Sequence, residues 1–138
     1  MWRMILVVAM LLTGCVQIPP SEQDIQARKF DAVSDKAVIY IVRSRLDSPN
    51  NGTINLGDAG TITTQSGTFY RWEVAPGTHR ITSFGHGTAA VTLRAEAGKI
   101  YFVQHTVHGD RRHGVTNMHL QQIGDAFGRR MVEQAQLL

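Results

Sequence analysis

A single cysteine, Cys15, among 138 residues rules out an intramolecular disulfide, so noncovalent packing must carry the fold whatever compartment the chain occupies. Long apolar runs are missing as well. A membrane-spanning helix needs roughly 20 apolar residues, at about 1.5 Å of rise each against about 30 Å of hydrocarbon. The run MILVVAMLL, Met4 to Leu12, is less than half that length. Charge of one sign is scarce: 14 Lys+Arg against 11 Asp+Glu leave +3, with Arg3 lying in the leader. So mild an excess does not imply nucleic acid. The signatures of common catalysts are lacking too: no G-x-S-x-G elbow, no Ser-x-x-Lys, no H-E-x-x-H and no P-loop. The carboxylates are scattered singly without an acid/base pair, and Ser66 and Ser83 have no recognisable base. The chain is therefore expected not to be an enzyme. With 43% hydrophobic and 18% charged residues, it has the composition of one folded domain with a modest core.

The N-terminus reads as a targeting segment: Arg3, the apolar run, then Leu12-Thr13-Gly14-Cys15. A branched aliphatic, a small residue, Gly and Cys in that order resemble the lipobox of bacterial lipoproteins. That resemblance implies removal of residues 1–14, a thioether-linked diacylglycerol on Cys15 and usually an acyl chain on the new amine. Cys15 supplies the one thiol able to act as that nucleophile. Two or more chains give stable membrane attachment, at about 0.8 kcal/mol per buried methylene. Val16 follows the cysteine in place of the Asp that retains many such lipoproteins at the inner membrane. An outer-membrane anchor with the domain facing the periplasm of a bacterial envelope is thus expected, the inner membrane being the alternative.

Residues 15–35 read as the lipidated cysteine and a tether. Pro19-Pro20 favour an extended, semi-rigid start, and a short helix over Glu22 to Phe30 capped by Ser21 is an option. Residues 36–138 read as the domain, and there the period becomes two. AVIYIV (Ala37 to Val42) suits a central strand covered on both faces. TFYRWEV (Thr68 to Val74) puts Tyr70, Trp72 and Val74 on one face and Arg71 and Glu73 on the other; AAVTLRAE (Ala89 to Glu96) puts Val91, Leu93 and Ala95 inward. Shorter strands are expected over Thr53 to Leu56, Thr61 to Thr64, His79 to Phe84, Ile100 to Val107 and Val115 to Ile123. Glycine-containing turns at LGDAGT, APGT and EAGK supply hairpin connections. The fold class expected is all-β: an antiparallel β-sandwich of about 7–8 short strands, largely a meander, with a C-terminal helix. In that helix Asp125 is the expected cap, and Phe127, Met131, Ala135 and Leu138 form one face. Gly128 weakens it by about 1 kcal/mol relative to Ala.

The order KAVIYIVR, INLGDAGTI, TFYRWEVAPGTHRITSF, AAVTLRAEAGKIYFVQ resembles a family of short bacterial lipoproteins known as a domain of unknown function. Its hallmarks are a PG-x-H turn, here Pro76, Gly77 and His79, and an aeaGk-x-Y hairpin, here Glu96 to Tyr101. The turn also resembles those of PEGA-type and transthyretin-like sandwich modules, whose usual work is display and interaction. The likeness spans Lys36 to Ile123 and implies a sandwich; it brings no catalytic residues.

Four of six histidines, His105, His108, His113 and His119, cluster late in the chain. His105, His108 and His113, with Asp110, would make a zinc or copper set, but strand parity sends His105 and His108 to opposite faces. No metal is the preferred reading, with that trio as the alternative. His119 shares parity with Asn117 and Gln121 on a solvated face, and His79 reads as a structural turn residue. In HGDRRHG (His108 to Gly114), Arg111, Arg112 and His113 form a candidate anion site for a lipid phosphate, a peptidoglycan carboxylate or an acidic partner. The competing reading is a charged hairpin tip. No cofactor is expected beyond the lipid on Cys15. Two functions follow: a lipid-anchored binding or scaffolding module engaging an envelope protein or peptidoglycan through strand edges or Trp72, or a small-ligand or metal module around His105 to His119.

Overall fold

A computed structural model describes residues 19–84, 89–109, 112 and 117–138. The elements in chain order are α1 (Glu22–Ala27), β1 (Ala37–Val42), β2 (Gly52–Asn55), a 3-10 turn (Gly57–Ala59), β3 (Thr61–Thr64), β4 (Thr68–Val74), β5 (Gly77–Phe84), β6 (Ala90–Ala95), β7 (Ile100–His108), β8 (Asn117–Ile123), α2 (Asp125–Glu133) and β9 (Gln136–Leu137). The strands form two sheets, ordered β8-β7-β1-β4-β9 and β3-β2-β5-β6, so the chain is an all-β sandwich with added helices.

Every residue of β1 is buried, as its unbroken β-branched and aromatic run requires. The two faces are covered differently. Ala37, Ile39 and Ile41 enter the core between the sheets with Ile54, Ile81, Leu93 and Val103. Val38, Tyr40 and Val42 face the other way and pack under a helical layer with Phe69, Phe102, Ala27 and Val132. The molecule therefore has three layers, sheet on sheet with α1 and α2 over the outer face of the five-stranded sheet. Tyr40 stacks on Phe102 at 5.2 Å between ring centroids, and its hydroxyl donates to the Ala27 carbonyl at 2.6 Å.

The segment before β1 belongs to this domain. Ser21 caps α1 by accepting from the Asp24 amide at 3.1 Å. Arg28, held by Asp24 at 3.1 Å, donates to the carbonyls of Val132 and Glu133 at 2.9 and 3.0 Å and to that of Ala135. These carbonyls lie at and just past the end of α2, where a cation suits the helix dipole. Residues 21–35, expected to be part of a tether, thus include a helix packed on the domain.

The expected, mostly antiparallel meander is corrected: β1 pairs with β4 and β2 with β5 across intervening strands, and two pairings are parallel. β1 runs parallel to β7, with Val38 opposite Ile100, and β4 runs parallel to β9, with Phe69 opposite Leu137. The expected face of α2 is corrected in part. Met131 packs on the core and Ala135, just past the helix, is buried, but Phe127 and Leu138 are 46% and 45% exposed, and the buried residues within the helix are Gly128 and Val132. Gly124 occupies the N-cap position without a side-chain bond, and Asp125 pairs with Arg129 at 2.8 Å inside the first turn. Gly128 is required by contact: a Cβ there would lie 2.2 Å from Phe102 Cγ.

Gly128→Ala tests that contact. Helix propensity alone predicts a gain of about 1 kcal/mol, whereas overpacking against Phe102 predicts a net loss of about 1–3 kcal/mol. Urea unfolding is expected to show the loss.

Candidate functional site

Both hairpin motifs prove to be turn locks. His79 Nε2 lies 2.7 Å from the Ala75 carbonyl, closing the Pro76-Gly77 turn, and its ring meets Trp72 edge-on at 5.5 Å. Tyr101 accepts from the Glu96 amide at 3.0 Å, while Gly98, at φ +76°, donates to the carbonyls of Val33 and Lys36. This hairpin therefore packs on the segment leading into β1.

One end of the sandwich is plugged by a buried polar cluster that sequence reading missed. Arg43 follows β1 and keeps the parity of Ile39 and Ile41, so its side chain enters between the sheets, 0% exposed. Its Nε donates to Asp47 Oδ2 at 3.1 Å, and its terminal nitrogens reach the carbonyls of Asn50, Thr64 and Ser48 at 3.0, 2.9 and 2.7 Å. Asp47 in turn accepts the Val107 amide at 3.0 Å and that of Ser48 at 2.7 Å. Every charge is paired and desolvated, which makes the cluster costly to break from one side. It fixes the β1–β2 connection to the end of β7. The sequence sign was an Arg and an Asp four apart directly after a fully apolar strand.

His105 lies beside this plug, fully buried, its Nδ1 3.0 Å from Thr64 Oγ1 and its Nε2 without a partner. The Thr64 hydroxyl also reaches the Gly52 carbonyl at 3.2 Å. Giving that carbonyl the hydroxyl proton assigns the imidazole proton to Nδ1 and leaves only a bare lone pair on Nε2. Gly52 makes room for the ring, since a Cβ there would lie 2.5 Å from His105 Cε1. Burial, with the Arg43 charge second and Asp47 opposing, pushes the His105 pKa down to about 4.

His108, three residues on, is exposed at the end of β7 and lines a shallow cleft of about 300 Å³ with Ser44, Leu46 and Ser48. His119 is exposed, its Nε2 3.3 Å from Gln121 Oε1. Cys15, Asp110, Arg111 and His113 fall outside the described residues; Arg112 is exposed in a turn. Among the described residues no group of three His, Cys, Asp or Glu side chains is placed to hold a metal ion, and no helix is long and apolar enough to cross a membrane.

The surface feature with most capacity for recognition is the outer edge of β4. On its inner side β4 pairs with β1 along its length, from Phe69 opposite Val42 to Val74 opposite Ala37. Arg43 N donates to Thr68 O and Leu138 N to Phe69 O, so even-numbered residues of β4 turn their amides and carbonyls to β1 and odd-numbered ones turn theirs outward. β9 covers that outer side only at Thr68 and Phe69. Among the described residues nothing pairs with the outward backbone groups of Arg71 and Glu73. Two clefts flank this edge. The larger, about 580 Å³, is lined by Gln23, Gln26, Asp31, Tyr70, Arg71 and Leu137; the other, about 360 Å³, by Leu56, Asp58, Trp72, Glu73 and His79. The Arg71–Glu73 ion pair at 2.7 Å lies between them.

No family model matches the chain, and no curated protein matches it. Among solved structures it is similar to a protein from Eubacterium rectale determined by NMR, at 11% identity and a TM-score of 0.35, over 64% of this chain and 91% of that one.

The buried histidine makes stability depend on pH. Its folded-state pKa lies below the unfolded value of about 6.5, so the stabilisation is complete above pH 6.5 and is lost as pH falls toward 4. Between pH 7 and pH 5 the loss is expected to be about 2 kcal/mol by urea unfolding. His105→Gln, which has no proton to take up, is expected to flatten that difference.

Proposed function

We propose that the chain is a lipid-anchored, non-catalytic binding or scaffolding module of the bacterial cell envelope. Cys15, acylated within Leu12-Thr13-Gly14-Cys15, holds it to the membrane, and the outer membrane with the domain in the periplasm is the location the Val16 position favours. The observation that supports a binding role best is the open edge of β4. Its free backbone groups at Arg71 and Glu73 lie between two clefts, an arrangement suited to adding an extended segment of an envelope protein as a further strand. Natural sheets shield such edges with charge or bulges, and here Arg71 and Glu73 supply charge beside the partly exposed Trp72. The described surface offers clefts and turn locks, and its most buried polar cluster spends its hydrogen bonds on holding the loop after β1. Capture of an anionic group of peptidoglycan or lipid by Arg111, Arg112 and His113 belongs to the same reading.

Cross-linking in intact envelopes is expected to recover one reproducible protein partner. Glu73→Pro removes an amide that points away from β1, so the core ladder is kept, and the partner is expected to vanish while the melting temperature moves by only a few degrees. Retention of the partner by Glu73→Pro, or none above background in the wild type, would contradict the proposal.

A further inference from the structure

The end of the sandwich that carries Arg43 is also the end at which Pro19 and Pro20 lie. Pro19 and Pro20 line one cleft with Gln136 and Leu137. Gln136 donates to the Gly67 carbonyl at 2.8 Å, and Gly67 donates to that of Ser44 at 3.1 Å. The loop carrying Arg45 and Leu46 is thus joined by backbone hydrogen bonds to the point where the tether arrives. From Cys15 to Pro19 there are four residue steps, no more than about 14 Å at full extension. An acylated Cys15 therefore keeps Pro19, at this end of the domain, within about 14 Å of the anchor point.

Two of the exposed large hydrophobics occupy this end. Leu46 is 97% exposed and Phe84, opposite Thr53 beside Gly52, is 51% exposed. Isolated apolar residues on a surface are ordinary, but Leu46 is presented on a braced loop. Arg43 binds the Ser48 and Asn50 carbonyls, Asp47 binds the amides of Ser48 and Val107, and the Ser48 hydroxyl donates to Gly109 O at 2.7 Å. The side chain thus pays no ordering cost of the loop when it meets an apolar phase. Arg45, exposed beside it, adds a cation at headgroup level.

Resting on the lipoprotein reading above, we infer that this end is a bilayer-docking face, with Leu46 and Phe84 entering the interfacial layer and Arg45 meeting the phosphates of the lipid headgroups. The lipid on Cys15 supplies the affinity. The face then fixes the domain's orientation and turns the open edge of β4 sideways, along the membrane plane.

The test uses the full acylated protein in vesicles of phosphatidylethanolamine and phosphatidylglycerol doped with nitroxide-bearing lipid. With Cys15 acylated, Leu46→Cys or Ala59→Cys gives one free thiol for an environment-sensitive fluorophore; Ala59 lies in the 3-10 turn at the opposite end. The label at 46 is expected to be blue-shifted and quenched at least about threefold more than the label at 59. Acyl mass on Cys15 with equal quenching at both positions would overturn the docking face and leave the anchor standing. Absence of acyl mass would overturn both.

Discussion

The structure depends on burying one strand from both sides. Ala37 to Val42 has no charged residue and no exposed one, and its one polar group, the Tyr40 hydroxyl, is hydrogen-bonded, so it is stable only where both faces are covered. The second sheet covers Ile39 and Ile41, and the helices cover Val38, Tyr40 and Val42. Each such aliphatic or aromatic side chain contributes about 1.5–3 kcal/mol when fully buried. Much else follows from that requirement. α2 must approach closely enough to seal Phe102, which is why Gly128 stands at the contact. α1 must fill the remaining gap, and Arg28 joins it to the end of α2.

The same strand sets the position of the polar plug. Carrying the β1 parity one step beyond Ile41 brings Arg43 into the space between the sheets, where a guanidinium is tolerated only because Asp47 and three carbonyls receive it. The β1–β2 connection is thereby braced and presents Leu46 outward instead of folding it in. Burial of His105 next to Arg43 follows from crowding at that end, with Gly52 vacating the space its ring fills. A core constraint thus reaches the surface through Arg43 and shapes the end of the domain near Pro19 and Pro20.

Much of this was legible in the sequence, for identifiable reasons. Alternation marks how a strand is buried, and it placed Tyr70, Trp72 and Val74 opposite Arg71 and Glu73; Tyr70, Trp72 and Val74 pack on the core between the sheets. It does not say which strand lies alongside, so the parallel pairing of β1 with β7 was hidden, and so was β9, only two residues long. The buried face of α2 was hidden because one of its two buried positions is a glycine, which carries no hydrophobic mark. Arg43 was not singled out, since an Arg and an Asp four apart after an apolar strand do not by themselves distinguish a solvated pair from one received by distant carbonyls. The edge of β4 was visible as charged alternation, but its openness depends on how far β9 runs alongside it.

The central claim is that the strand Ala37 to Val42 cannot be held without the helix that precedes it. The direct measurement compares urea unfolding of a soluble form beginning at Pro19 with one beginning at Ser34. The account predicts that the shorter form loses several kcal/mol, of the order expected for uncovering Phe30 and Ala27 from the aromatic cluster and freeing the end of α2, or fails to unfold cooperatively. Equal midpoints and slopes for the two forms would contradict it, and would return residues 21 to 33 to the role of a tether.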